Sequence, residues 1–201
     1  MPQKYSLNVS NYSRNYGSIC VYQTNPNIDD PRLLSLAWLV ARAHPTTRVS
    51  FQWSIDYSFV WDETGHLAPG VIFDASQNLT ADLTTSNSVD FINEKGVLTF
   101  ANQRVSEHAG TLYVRSGNSV PFDYAAVGMG MSGAAVFVRS AQPNITYAFQ
   151  PGQALWVTFG NYEQGEVLDV ESITNAQQIN FSPNVFSVDV TLNIDNVWTV
   201  K

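Results

Sequence analysis

The sequence predicts an all-β protein, a two-sheet antiparallel sandwich of jelly-roll or Greek-key type with little helix. Three observations carry this. From Arg48 to Asp62 large apolar residues occupy every second position, namely Val49, Phe51, Trp53, Ile55, Tyr57, Phe59 and Trp61, while Ser50, Gln52, Ser54, Asp56, Ser58 and Val60 fall between them. Side chains alternate between faces along a strand, whereas a helix would scatter these residues around its circumference. One wall would be aromatic and the other mostly polar, the pattern of an antiparallel sheet packed on a second sheet. Secondly, short apolar runs alternate with Gly, Pro, Asn and Asp clusters along the chain, giving about ten strands or more. Thirdly, no βαβ alternation and no long helical pattern occurs, which excludes the wound α/β folds.

Taken in order, Tyr5, Leu7 and Val9 alternate with polar residues and predict a first strand; Ser18 to Gln23 predicts a second. TNPNIDDP is a loop. RLLSLAWLVARAHP fits a helix face through Leu33, Leu36, Ala37 and Val40, but Leu34, Leu36, Trp38 and Val40 also alternate. A short turn at Pro31 to Leu33 followed by a strand from about Leu34 to Ala43 is the expectation. After the aromatic strand, DETGHLAPG is a loop, VIFDAS a strand and QNLTADLTTSN a long polar connection. VDFIN-EKG-VLTFAN is a hairpin turning at Asn93 to Gly96. GTLYVRS is a strand, YAAVGMGMSGAAVFVRS one or two strands interrupted by glycines, and ITYAFQ, PGQ, ALWVTFG a further hairpin. Gly165 to Asn180 is polar, and Phe186, Val188, Val190, Leu192 and Ile194 alternate in a closing strand.

Composition bounds the rest. A chain of 201 residues with 44% apolar content supports one domain, residues 1–201, with a sizeable core. Only 13% of residues are charged, against a usual level of about 25%. The formal net charge is −7, and the lysines Lys4, Lys95 and Lys201 are scattered. No basic cluster can neutralise a phosphate backbone, so nucleic acid is not an expected partner, nor is an anionic membrane surface. No apolar run reaches the ~18 residues of a membrane span. MPQKYSLNVSNYS has no signal-peptide core, so the expected location is the cytoplasm, or outside the cell by a route without a cleaved signal. The sequons at Asn8, Asn11, Asn78 and Asn144 are then by-products of an Asn-rich composition. The single cysteine, Cys20, cannot form an intrachain disulfide and lies in the apolar run SICVYQ, as a buried small hydrophobe would.

No chemical motif is complete. Gly128, Gly130 and Gly133 spell G-x-G-x-x-G, but a dinucleotide site needs a following helix, and AAVFVR is β-like. These glycines instead predict a bulge, a tight bend or close sheet approach. Ser132, in GMSGA, lacks the final glycine and the strand-turn-helix setting of a nucleophile elbow. His44, His66 and His108 lie in three separate loops without metal-ligand spacing, and Asp29 and Asp30 lack the regular oxygen ligands of a calcium loop. No metal and no cofactor are expected. Asp62, Glu63 and His66, in WDETGHL, are the one polar cluster beside the aromatic strand; carboxylates near an imidazole suit acid-base work if a cleft couples them, and a solvated loop otherwise. Of the tryptophans, Trp38 and Trp53 are expected in the core. Trp61, at a strand end, is expected at the surface, where with Asp62 and His66 it would form a ligand-binding set.

Three stretches, SLAWLVARAHPTTRVSFQWSIDYSFVW, GHLAPGVIFDASQ and AVGMGMSGAAVFV, resemble the rhizosphere-expressed, RhiA-type protein family of root-associated bacteria. The resemblance runs over most of the chain. It implies a bacterial or fungal protein of about this size, linked in the rhizobial case to quorum-controlled expression near plant roots. It implies no catalytic motif, so no functional residue transfers. The expected function is non-enzymatic surface recognition, by binding a glycan or a small apolar ligand or by self-association. The alternatives are an enzyme of unrecognised type with its pocket at the Asp62-Glu63-His66 loop, and an abundant storage or assembly protein. Exposed sheet edges with few lysines lead to the expectation of a C2 homodimer.

Overall fold

A computed structural model describes residues 3–26, 30–106, 108–152 and 154–201. Among the described residues the chain is all-β, with one short 3-10 turn at Val170–Ser172. The strands in chain order are β1 (Lys4–Asn11), β2 (Gly17–Gln23), β3 (Leu34–Ser35), β4 (Leu39–Ala43), β5 (Thr47–Ser54), β6 (Tyr57–Asp62), β7 (Gln77–Ala81), β8 (Ser88–Glu94) and β9 (Val97–Arg104). They continue as β10 (Leu112–Ser116), β11 (Ala126–Met131), β12 (Ala134–Ser140), β13 (Thr146–Phe149), β14 (Leu155–Gly160), β15 (Ala176–Ile179), β16 (Ser187–Leu192) and β17 (Trp198–Val200).

These strands form four sheets, with orders β17-β16-β1-β5, β13-β10-β8-β9, β3-β12-β11-β6-β7 and β15-β14-β2-β4. Two pairs run parallel, β1 with β16 and β8 with β10, so two of the four sheets are mixed, where the sequence predicts purely antiparallel ones. Closing residues of the chain therefore lie beside opening ones, Val9 opposite Val190.

The Arg48–Asp62 stretch is extended, but it is two strands. It breaks at Ile55 and Asp56, and its halves enter different sheets, β5 beside β1 and β6 between β11 and β7. Ile55, expected within the apolar wall, is 51% exposed. The break is stitched to the β11–β12 turn: the Ser132 backbone N–H donates to Asp56 Oδ1 at 2.8 Å, and the Ser54 N–H donates to Ser132 Oγ at 3.2 Å. In β6 both faces are covered, Phe59 and Trp61 by the main core, Ser58 and Val60 by the opposite side. The polar face expected there is dry because Leu36, Leu67, Phe73 and Val167 form a second apolar cluster with Val60.

The glycines of GMGMSG do what close sheet packing requires. A bulge falls between Met129 and Gly130. A Cβ on Gly128 would come within 2.1 Å of the Phe137 carbonyl oxygen, and one on Gly130 within 2.5 Å of Ser58 Oγ. All six residues of β11 are buried. Ser132 and Gly133 take φ of 53° and 81°, the two left-handed positions of a tight hairpin turn, as Lys95 and Gly96 do at 54° and 90° between β8 and β9.

Four further expectations are corrected. The run expected as one strand from Leu34 to Ala43 switches sheets between β3 and β4, while Trp38 is buried and donates its indole N–H to the Met131 carbonyl at 2.9 Å. VIFDAS is no strand; Ile72 makes a lone bridge to Glu166. QNLTA, expected as a connection, is the edge strand β7, held by the otherwise open side of β6. The hairpin expected across Pro151–Gln153 does not form: β13 pairs with β10, and β14 with β2 and β15; Gln153 itself lies outside the described residues. Cys20 is buried, and burial pushes its thiol pKa upward. Asn11 is fully buried, its amide donating to the carbonyls of Asn15, Ala43 and His44, so this sequon cannot carry a glycan in the folded chain.

Candidate functional site

The loop after β6 does not assemble Asp62, Glu63 and His66 into one group. The three side chains take three different partners. Asp62 Oδ1 accepts from Ser76 Oγ at 2.7 Å, Glu63 Oε2 accepts from the Tyr124 hydroxyl at 2.9 Å, and His66 Nδ1 lies 3.2 Å from Asp123 Oδ2. Gly65, at φ 67°, turns the loop and donates its N–H to the Tyr124 carbonyl. The loop is thereby fastened to the segment 122–124, with Glu63 and His66 spread along that seam while Asp62 is held by Ser76. Glu63 holds the Tyr124 phenol above its usual range by accepting its hydrogen bond.

Trp61 corrects the expectation of a surface ring. It is 7% exposed, packs against Phe91 with centroids 5.4 Å apart, and donates its indole N–H to Gln77 Oε1 at 2.7 Å. An indole this buried leaves no stacking platform for a ligand. Of the expected ligand-binding set, only His66 reaches the cleft described next.

That cleft, about 550 Å³, opens between the turn at Pro31, the loop at His66, the loop at Phe122 and the start of β13. Its apolar surface comes from Phe122 and Ile145, which are 69% and 39% exposed, and from the rim of the buried Tyr147 ring. Its polar groups are the His66–Asp123 pair, Ser140, Gln142, Arg32 and Arg139. Arg139 is held firmly: its guanidinium donates to Asp30 Oδ2 at 2.5 Å and sits 5.3 Å from the Tyr147 ring centroid. The Tyr147 hydroxyl accepts from the Gln142 N–H at 2.6 Å; burial raises its pKa, and Gln142 and the two arginines oppose that. Asp30 thus serves an ion pair rather than a cation-binding loop, and Asp29 lies outside the described residues.

A second groove, about 440 Å³, runs beside Gly133, Ala134 and Ala135 over Trp38, with Asp74, Asn78 and Gln164 at its rim. It lacks an exposed aromatic ring and a paired charged group, so the Phe122 cleft is the better candidate. Among the described residues no three His, Cys, Asp or Glu side chains gather to hold a metal ion, and no helix is long and apolar enough to cross a membrane.

Similarity to known proteins covers the whole of this architecture. A family model described as RhiA matches residues 2–201. The chain belongs to the RhiA family. Protein RhiA of Rhizobium leguminosarum bv. viciae is 32% identical over 201 residues, which is 98% of this chain and 86% of that protein. No solved structure gives a significant match. The RhiA-family chain brings into its cleft four residues that sequence reasoning passed over, Phe122, Arg32, Arg139 and Tyr147. Phe122 carried a signal, since a phenylalanine in the polar, turn-rich SGNSVPFDY has no strand in which to hide. Arg139 carried none, because its partner Asp30 is distant in sequence.

Proposed function

We propose that this RhiA-family protein is a non-enzymatic recognition protein whose Phe122 cleft takes a small ligand with an apolar face and a hydroxyl-bearing rim, a glycan being the first class. The observation that carries this is the exposure of Phe122 directly beside the His66–Asp123 pair. A sugar presents C–H groups on one face and hydroxyls at its edge, and the ring and the flanking polar groups offer the complement to each. In the same reading the four sheets are layers of a sandwich, since one apolar cluster draws residues from every sheet. A binding role is favoured over catalysis by the dispersal of Asp62, Glu63 and His66 among separate partners.

The test is a glycan array followed by calorimetry on the hits. Binding that Phe122→Ala weakens about tenfold or more is expected, the scale of removing a central aromatic contact. An array without hits, or hits indifferent to Phe122→Ala, would refute the assignment. Self-association is the companion reading, favoured by β13, an edge strand of one sheet that contains neither lysine nor proline. Light scattering at micromolar concentration tests it, a C2 dimer being the expected state and a monomer the refuting one.

A further inference from the structure

We infer that the ligand of this cleft carries a carboxylate, as an acidic saccharide does, and that the guanidinium of Arg32 receives it. The inference rests on the cleft assignment above and adds the ligand's charge. Two guanidinium groups, Arg32 and Arg139, line the cleft against one carboxylate, Asp123, which is already engaged by His66. Asp30 stands between the two guanidiniums, its Oδ2 on Arg139 and its Oδ1 toward Arg32 Nε. It lines the neighbouring groove together with Asp169 and Glu171, on the far side of Pro31 and Leu34. The neighbouring groove is thus the acidic one, while the cleft side keeps the exposed end of Arg32 open to solvent.

The two arginines are not equivalent. Arg139 takes Asp30 Oδ2 at 2.5 Å and is largely buried, so its charge is spent. Arg32 reaches Asp30 Oδ1 only through Nε at 3.5 Å, and its side chain is 71% exposed. Its two terminal nitrogens make no hydrogen bond among the described residues. They present the planar two-donor fork that matches the two oxygens of a carboxylate. Phe122 would carry the ring face while Arg32 holds the acid.

The experiment measures binding of digalacturonate, its neutral galactose counterpart and inorganic phosphate to the full chain by calorimetry, at low and moderate salt. The acidic sugar should bind about three- to tenfold more tightly than the neutral one, the range of an exposed but well-oriented charged hydrogen bond. That margin should shrink with salt and vanish in Arg32→Gln, which alters an exposed side chain and leaves the fold in place, while Phe122→Ala should weaken both sugars. Equal affinity for the two sugars, with the Phe122→Ala effect intact, overturns the charge inference and leaves the cleft assignment standing. No binding of either sugar overturns both. Phosphate binding as tightly as digalacturonate overturns the carboxylate in favour of a general anion site.

Discussion

Replacing Gln77 by leucine should destabilise the protein by about 3 kcal/mol, from the loss of one oxygen atom. Gln77 opens β7, and its Oε1 accepts from the Trp61 indole N–H at 2.7 Å, the Phe100 backbone N–H at 3.0 Å and Thr99 Oγ1 at 3.4 Å. Trp61 and Phe100 are each 7% exposed. Leucine has nearly the same volume and no acceptor, so two N–H groups lose their partner away from water. Each such donor costs about 1–3 kcal/mol, and partial solvent access at the sheet edge places both in the lower half of that range. For a chain of this size the loss corresponds to a fall in Tm of about 6–12 °C. Urea unfolding followed by circular dichroism would measure it, with an unchanged m-value showing that the folded and unfolded states keep their compactness. Gln77→Glu retains the accepting oxygen and should lose less than the leucine variant. A leucine variant within ~0.5 kcal/mol of the parent, or a glutamate variant worse than it, would show that the shared oxygen does not join these two sheets.

Three other outcomes can be checked directly. Gly128→Ala should abolish soluble expression, because its methyl group would meet the Phe137 carbonyl oxygen at 2.1 Å between two buried strands; normal yield with a native spectrum would refute this. Asp82 has its pKa lowered to about 2 by hydrogen bonds from the Thr84 hydroxyl and amide and then from Thr85. Its folded value lies below the unfolded ~3.9, so the turn is fully held above that pH and loosens as pH falls through about 2; the Thr84 and Thr85 amide resonances should titrate together there, and a midpoint near 4 would count against it. Cys20 is buried with its thiol pKa raised, so a thiol reagent at neutral pH should react only at the rate of unfolding, and immediate labelling of the native protein would contradict the fold around β2.

How far each feature could be foreseen depended on the range of the interaction that made it. The EKG hairpin turn and the glycines of GMGMSG were legible because a turn and a close approach place their demands on the residues themselves. Phe51 and Trp53 were correctly placed in the core for the same reason, their alternation being a property of the strand. The break at Ile55 was not legible, since alternation continues through it and only the attachment of Asp56 to Ser132 diverts the chain. Trp61 was misplaced because its burial depends on Phe91 and Gln77, and neither distance nor direction to them is written in the residues beside it. At the candidate site, His66 was found because it stood in a polar loop, whereas Arg139 and Tyr147 sat in strand-like runs that resembled any others.

By itself the sequence determined the class of this protein: extended backbone nearly throughout, turned at glycines and polar clusters, with Phe51, Trp53 and Trp38 inside. Those properties follow from side-chain period and local backbone freedom, which act within a few residues. Tertiary structure alone decided how the strands were shared among four sheets, two of which each contain a parallel pair, and which charges met at the cleft. Strand neighbours and ion pairs such as Val9 with Val190, or Asp30 with Arg139, join positions far apart in the chain, and a one-dimensional pattern carries no term for such distances.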